Sequence, residues 1–218
     1  MGRVYDATLG RAFTAWYGYV IRRVDEKGLR EVRREVLAAA EGRVLDVGTG
    51  TGANLPLFPA AVEELVLAEP DEHMQRALAK RVRELGSRVE LVQAPAERLP
   101  FPDASFDCVT CTMVMCTMPD PAAALEEVSR VLKPDGRFLF LEHVRSEDAG
   151  FARTQDRINP AWRFLADGCN CNRDSLATIE ASPLRIERIG RGQMPAVPLF
   201  MKPLVFGSAA PPGAPVSS

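Results

Sequence analysis

The sequence predicts a doubly wound α/β fold, in which helices cover both faces of a parallel sheet. Three observations lead to this prediction. From residue 43 onward, apolar runs typical of buried strands alternate with helical patterns, as they do in parallel sheets. A glycine-rich turn, Gly48 to Gly52, follows the first strand. The second strand ends at Glu69, 21 residues after Gly48, where folds of this kind place a carboxylate that binds ribose hydroxyls.

The chain before the sheet is predicted to be a helical cap. Residues 8–40 have helical periodicity with a break near Gly28, since glycine is a poor helix former. We place the cap at 1–42, the α/β domain at 43–207 and a disordered tail at 208–218. The tail is biased towards Ala, Pro, Gly and Ser, which cannot build a core.

The later elements carry local start and stop signals. A helix from Asp71-Glu72 to about Leu85 has acidic residues in its first turn and Gly86 as its stop. Asp120-Pro121 begins another helix, as an N-cap residue followed by proline at the first helical position. Further helices are expected around 151–166 and 173–181. Strands are expected at 43–47, 64–69, 89–93, 106–113 and 137–143, and near 184–192 and 198–206.

The bulk properties are those of one domain with no general attraction to nucleic acid. The chain has 218 residues, 46% of them hydrophobic, and a net charge of −2. Five cysteines, an odd number placed mostly in apolar stretches, indicate reduced thiols and a cytoplasmic protein. No signal peptide is visible, and the apolar stretch from Phe13 to Ile21 is shorter than the roughly 20 residues that a membrane span needs.

The glycine turn and Glu69 together predict a site for an adenosine-type nucleotide. A turn without Cβ atoms lets backbone N–H groups approach a ligand. The same glycines, as Gly48-x-Gly50-x-x-Ala53, also fit the loose pattern of an NAD-binding oxidoreductase. Asp46 argues against that alternative, because a carboxylate beside the turn would repel a pyrophosphate and suits a cationic ligand.

Four motifs resemble those of class I S-adenosylmethionine (SAM)-dependent methyltransferases, in the family's order over residues 44–142. They are Asp46-x-Gly48-x-Gly50-x-Gly52, Glu69-Pro70-Asp71, the block from Ala96 to Asp107, and Val131 to Arg137. The resemblance implies a Rossmann-like, seven-stranded, mostly parallel sheet with a final antiparallel strand beside strand five. It also implies an enzyme that takes S-adenosyl-L-methionine and releases S-adenosyl-L-homocysteine.

Carried over by position, the resemblance also assigns a cofactor site. Asp46 would face the ammonium of SAM, Glu69 would hold its ribose, and Pro70 and Met74 would lie beside the adenine. Pro95 stands where many relatives have Asp, so contact with the adenine amino group must shift to Glu97 or water. The cofactor-binding residues expected are Asp46, Gly48, Thr49, Gly50, Gly52, Asn54, Glu69, Pro70, Met74, Ala96, Glu97, Thr112 and Met113.

A narrower resemblance begins at strand five, and the segment from Cys111 to Cys116 at the end of strand four also matches it. This segment lacks the Asn/Asp-Pro-Pro-Tyr/Phe motif of methyltransferases that act on nucleobases. Together with Glu142-His143-Val144, Pro160-Ala161-Trp162 and Asp167-Gly168-Cys169, it is similar to a branch of methyltransferase-like proteins that methylate small alkyl thiols. The expected acceptor is therefore a small apolar molecule, with thiol sulfur favoured. The substrate-pocket residues expected are Trp16, Tyr17, Met115, Cys116, Trp162 and Cys169.

Several alternatives remain open at this stage. The acceptor could be oxygen, nitrogen or carbon of a phenol, quinone, natural product or phospholipid, or the protein could be a SAM-binding pseudo-enzyme. His143 is the candidate catalytic residue, either as a general base or as a neutral side chain that shapes the pocket. Met113 and Met115 could line the pocket or simply pack in the core.

The N-terminal aromatics and the cysteine pair are also open to more than one interpretation. Aromatics such as Trp16 and Tyr17 suit a lid over the site, while contact with a membrane or plain core packing are the alternatives. The spacing Cys169-x-Cys171, with no histidine near in sequence, argues against a metal site, so none is predicted.

Overall fold

The protein is described by a computed structural model over residues 7–86 and 89–214. Its seven strands are β1 Gly42–Val47, β2 Val62–Ala68, β3 Glu90–Val92, β4 Phe106–Thr112, β5 Leu132–His143, β6 Arg185–Gln193 and β7 Pro203–Ala210. Its α-helices are α1 Ala7–Val24, α2 Arg30–Leu37, α3 Glu72–Leu85, α4 Pro121–Val131, α5 Ala149–Leu165 and α6 Ser175–Glu180. Short 3₁₀ turns lie at Leu55–Leu57 and Leu199–Met201.

All seven strands form one sheet in the order β3-β2-β1-β4-β5-β7-β6. The strands from β3 to β5 are parallel, and β7 is antiparallel to both of its neighbours. The predicted mostly parallel sheet, with an antiparallel strand beside strand five, is confirmed. Strand order reverses between β1 and β4, and in such sheets ligands bind at the carboxyl ends of the strands beside the reversal.

The sheet has an apolar layer on each face, as the two-residue period of β5 illustrates. Phe138 and Phe140 pack with the buried stripe of α4, while Leu139 and Leu141 pack on the opposite face with Val36 of α2. Alternate side chains of a strand point to opposite faces, so a strand with two buried faces reads as continuously apolar.

The N-terminal cap is helical and has its break where it was predicted. A π-helical turn, Asp25–Leu29, joins α1 to α2, and Gly28 within it has a φ of 127°, which glycine adopts more easily than other residues. Helix α1 lies beside the glycine turn and α3: a Cβ atom at Gly10 would meet the His73 ring at 2.5 Å. Among the described residues, no helix is both long and apolar enough to cross a membrane.

The bounds of β5 and β7 differ most from the prediction, and β7 begins at Pro203 instead of near residue 198. Strand β5 begins at Leu132, which pairs with Phe106 before a register shift. Strand β7 continues to Ala210, so the tail predicted to be disordered from residue 208 is wrong at its start. Ser208 and Ala209 are buried and paired with strands on both sides; composition signalled disorder, but pairing on both edges orders the backbone. Residues 215–218 of the predicted tail lie outside the described residues.

Candidate cofactor and acceptor site

The glycine turn after β1 has a backbone that other residues could not easily adopt. Gly48 and Gly50 have φ values of 65° and 57°, in the left-handed region that favours glycine. A Cβ atom at Gly48 would also lie 2.2 Å from Val114 Cγ2. The turn is therefore held tightly against the segment after β4.

Glu69 fixes this turn to the start of α3. It is 6% exposed, and its Oε2 accepts a hydrogen bond from the Gly50 N–H at 2.8 Å. Its Oε1 accepts one from the Asp71 N–H at 2.7 Å. A carboxylate can accept about four hydrogen bonds, so these two bonds are compatible with the predicted contacts to ribose hydroxyls.

Asp46, at the carboxyl end of β1, supplies the best evidence that a cationic ligand fits. Its Oδ1 accepts hydrogen bonds from Thr110 Oγ1 at 2.6 Å and Asn54 Nδ2 at 2.9 Å. Its Oδ2 is buried and has no hydrogen-bond partner within the described ranges. Burial raises the pKa of Asp46, although the hydrogen bonds from Thr110 and Asn54 oppose this. A buried carboxylate oxygen of this kind fits the ammonium predicted beside it.

Arg33, a residue that the sequence analysis did not single out, joins the hydrogen-bond network around Asp46 and Asn54 from the side of the cap. This residue of α2 is 2% exposed. Its Nη1 donates to Thr112 Oγ1 at 2.8 Å and to Asn54 Oδ1 at 3.1 Å, and its Nε donates to Asp25 at 3.1 Å. The buried position of Arg33 could not be predicted from the sequence, because Arg33 lies in a helix of mostly charged residues, where an arginine normally faces solvent.

Tyr17 of α1 lies where the predicted lid would place an aromatic ring. Its ring carbon Cε1 is 3.7 Å from the position of a Cβ atom at Gly50. Burial raises the pKa of Tyr17 to about 12, although the charge of Arg33 opposes this shift. The Tyr17 ring therefore borders the glycine turn from the side of the cap.

Trp16 is not brought to the site. It is 47% exposed and its ring lies 5.7 Å from that of Phe13. Neighbouring residues of a helix point about 100° apart, so Trp16 and Tyr17 cannot both face the glycine turn. The prediction that Trp16 lines the pocket is therefore wrong.

Three side chains that are far apart in sequence meet at the carboxyl ends of β4 and β5. We call Cys116, His143 and Cys169 the sulfur–imidazole cluster: Cys116 Sγ, one ring nitrogen of His143 and Cys169 Sγ all lie within 4.8 Å of one another. Cys169 Sγ is 3.3 Å from His143 Nε2 and accepts a hydrogen bond from Trp162 Nε1 at 3.3 Å. His143 Nδ1 is buried without a partner in the portion of the chain described.

Protons are unevenly distributed over this cluster. The hydrogen bond from Cys116 lowers the pKa of Cys169 to about 4, and His143 assists although burial opposes the shift. The same bond raises the pKa of Cys116 well above its usual range. Burial lowers the pKa of His143, but the bond to Cys169 outweighs it and the net pKa is raised. The arrangement favours a thiolate at Cys169 beside an imidazolium.

The methionines divide between the pocket and the core. Met113 belongs to the same apolar cluster as Tyr17, Cys116 and Trp162, and its φ of 60° turns the chain sharply after β4. Met115 is 1% exposed and belongs to the main core with Phe138. Met115 as a pocket residue is therefore wrong, because its side chain is packed on the other side of the sheet.

The remaining predicted cofactor residues surround the same edge of the sheet. Thr49 Oγ1 donates to the Asp46 carbonyl at 2.8 Å, and Met74 is half-buried in the first turn of α3. Pro70 is exposed, and Glu97 Oε1 accepts from the Asp120 N–H at 3.2 Å. The Ala96 side chain is buried in the core, so only its backbone can face a ligand.

Glu142 is a second buried ionisable residue that the sequence did not mark as functional. Its Oε1 accepts from the Val114 and Met115 N–H groups at 2.9 and 3.0 Å. Burial raises the pKa of Glu142 to about 7 although these bonds oppose the shift. Glu142 thus holds the segment that carries Val114 against the end of β5.

Comparisons with known proteins agree with this geometry. Residues 45–140 match the methyltransferase domain family. Human thiol S-methyltransferase TMT1A is 32% identical over 170 residues, which are 76% of this chain and 69% of that protein. The ubiquinone/menaquinone biosynthesis C-methyltransferase UbiE of Pseudomonas fluorescens is 39% identical over 131 residues, 58% of this chain and 51% of that protein.

Solved structures of methyltransferases share this fold. The solved structure of a SAM-dependent methyltransferase from Aquifex aeolicus superimposes with a TM-score of 0.60 at 21% identity, covering 86% of this chain and 91% of that one. The seven-stranded sheet, the glycine turn and the similar proteins thus all indicate the same family. The chain belongs to the class I SAM-dependent methyltransferases, enzymes that take SAM as their cofactor.

Proposed function

We propose that the protein transfers a methyl group from SAM to the sulfur of a small apolar thiol. The observation that carries this proposal is the composition of the acceptor end of the site. Met113, Tyr17 and Trp162 belong to the same apolar cluster as Cys116 and Cys169 of the sulfur–imidazole cluster. The similarity to human thiol S-methyltransferase TMT1A supports the same acceptor.

The residues at the carboxyl ends of β1 and β2 would hold the cofactor. Asp46 Oδ2 would accept from the ammonium, Glu69 would accept from the ribose, and the backbone of the glycine turn would pass beneath the methionine part. SAM supplies an electrophilic methyl group on a cationic sulfur. Tyr17, whose ring lies over Gly50, would close the site from the cap and exclude water.

An apolar pocket suits a thiol acceptor on electrostatic grounds. Attack of a thiolate on a sulfonium removes two opposite charges, so a poorly solvated site favours the reaction. A free thiol with a pKa of about 8.5 is already partly ionised near neutral pH, so it needs less help from a base than a phenol or an amine does. In this proposal, His143, at the end of β5, is the residue that acts on the acceptor thiol.

A carbon acceptor is the second candidate, because UbiE is 39% identical over its matched region. An acceptor screen with labelled SAM across alkyl thiols, phenols, quinols, amines and phospholipids decides between the two. We expect small alkyl thiols to be methylated most rapidly. The Asp46→Asn variant serves as the control, since it keeps the shape of the side chain but loses the charge that faces the ammonium. Rapid turnover of quinols or phenols with none of thiols would overturn the sulfur assignment.

A further inference from the structure

We propose that Cys116, His143 and Cys169 form a Zn²⁺ site with three protein ligands and one open position. Their ligand atoms lie within 4.8 Å of one another. Typical Zn–S and Zn–N bonds of about 2.3 and 2.0–2.1 Å put tetrahedral ligand atoms roughly 3.4–3.8 Å apart. The distance of 3.3 Å between Cys169 Sγ and His143 Nε2 is close to that spacing. Small side-chain adjustments would therefore bring all three atoms onto one ion.

The chemistry of the three ligands selects the ion. Two thiolates and an imidazole form a soft to borderline set, which suits Zn²⁺ and not Mg²⁺ or Ca²⁺. All three residues are buried, with exposed fractions of 3% for Cys116, 1% for His143 and 8% for Cys169. Two thiolates and one Zn²⁺ also cancel in charge, so the loaded site leaves no net charge in an apolar region.

Hydrogen bonds hold the segments that carry the proposed ligands together. Both the backbone N–H and Nδ2 of Asn170 donate to the Cys116 carbonyl, at 3.0 and 2.9 Å. These bonds tie the segment that carries Cys169 to the segment that carries Cys116. Trp162 Nε1 donates to Cys169 Sγ, an outer-shell hydrogen bond of the kind that orients metal ligands.

Cys111 and Cys171 have other partners, which explains why sequence spacing predicted no metal site. Cys171 Sγ donates to the Gln155 carbonyl at 3.7 Å, and Cys111 Sγ donates to Glu142 at 3.7 Å. Cys169-x-Cys171 is therefore not a ligand pair. The three ligands come from the loop after β4, the end of β5 and the loop after α5, segments that only the fold brings together.

The open position has a role that rests on the proposed function. Three protein ligands with a fourth site for water or substrate is the coordination of catalytic zinc. A thiol acceptor that displaces the water would lose its proton to solvent and bind as a zinc thiolate, with no change of oxidation state. The acceptor sulfur would then be held in the apolar cluster that Tyr17 connects to the glycine turn.

The metal site is tested without reference to activity. Calorimetry with Zn²⁺ alone, in the presence of a non-chelating reductant, should show one equivalent bound to the wild-type protein. Co²⁺ should give the visible spectrum of a tetrahedral site with thiolate ligands. Cys169→Ala and His143→Ala should lose at least about 100-fold in Zn²⁺ affinity, whereas Cys171→Ala, a buried cysteine two residues away, should bind as the wild type does. Retained binding of S-adenosylhomocysteine checks that each variant is folded.

Two results would overturn the metal site: wild-type protein that binds no Zn²⁺, or Cys169→Ala protein that binds it unchanged. The activity arm separates this proposal from the proposed function. Stoichiometric binding of Zn²⁺ by protein that does not methylate thiols would support the metal site and refute the thiol acceptor. Unchanged thiol methylation by protein shown to be metal-free would refute the role of the ion and leave the thiol acceptor standing.

Discussion

At the scale of single residues, Glu69 is the sharpest test of how the cofactor is held. Glu69→Gln keeps the size of the side chain but replaces one accepting oxygen with an NH₂ group, beside backbone donors and the proposed ribose hydroxyls. We expect the affinity for S-adenosylhomocysteine to fall by roughly 1.5–3 kcal/mol, or about 10- to 150-fold in Kd. Calorimetry measures the loss. Glu84→Gln, an exposed carboxylate paired with Lys80 on the same α3 helix, should leave Kd unchanged; an equal loss in both variants would contradict the assignment.

The candidate site residues that sequence spacing alone could bring together are those whose signal is local. Asp46 and the glycines belong to β1 and the turn after it, and Glu69 directly follows the neighbouring strand β2, so motif spacing alone brings them to one edge of the sheet. Arg33 carries no such signal, because its partners Asn54 and Thr112 lie 21 and 79 residues further along the chain. The sulfur–imidazole cluster is hidden for the same reason. His143 and Cys169 were each singled out, but only the fold shows that they touch.

At the scale of elements, the cap depends on Arg33. Arg33→Leu would leave Asp25 and the acceptors of Asn54 and Thr112 without their shared donor. We expect the free energy of unfolding to fall by about 3–5 kcal/mol, the usual cost of breaking a buried ion pair from one side. Urea denaturation measures it. Arg34, the next residue, pairs with Glu31 on the surface. The Arg34→Leu variant should therefore lose less than about 1 kcal/mol of the free energy of unfolding. Equal losses would mean that the α2 helix does not depend on this network.

Element boundaries were predicted well where a residue forces them and less well where pairing decides them. Gly28 breaks the cap and Gly86 ends α3 in the left-handed conformation, and both positions follow from the chemistry of glycine. The start of β5 and the end of β7 depend instead on partners across the sheet. Leu132 and Ala210 are strand residues because Phe106 and Arg185 pair with them, which no local pattern reveals.

At the scale of the whole molecule, the pH dependence of stability should report on Glu142. Its pKa is raised from 4.5 to about 7 in the folded protein. Between these values the unfolded chain loses the proton while the folded protein retains it, so stability falls as pH rises from about 4.5 to 7. The penalty is fully present above pH 7 and reaches at most about 3 kcal/mol, from 1.36 kcal/mol per pKa unit.

Glu142→Gln should remove this slope, because glutamine does not titrate and its Oε1 can still accept from Val114 and Met115. Urea denaturation across pH 4.5–8 should show the variant gaining on the wild type with rising pH, by up to about 3 kcal/mol at pH 8. Glu126→Gln, which alters an exposed carboxylate on α4, should follow the wild-type curve throughout. Parallel curves for Glu142→Gln and the wild type would show that this carboxylate ionises as freely in the folded protein as in the unfolded chain. The segment that carries Val114 would then be bound to an ordinary carboxylate instead of one whose ionisation opposes folding.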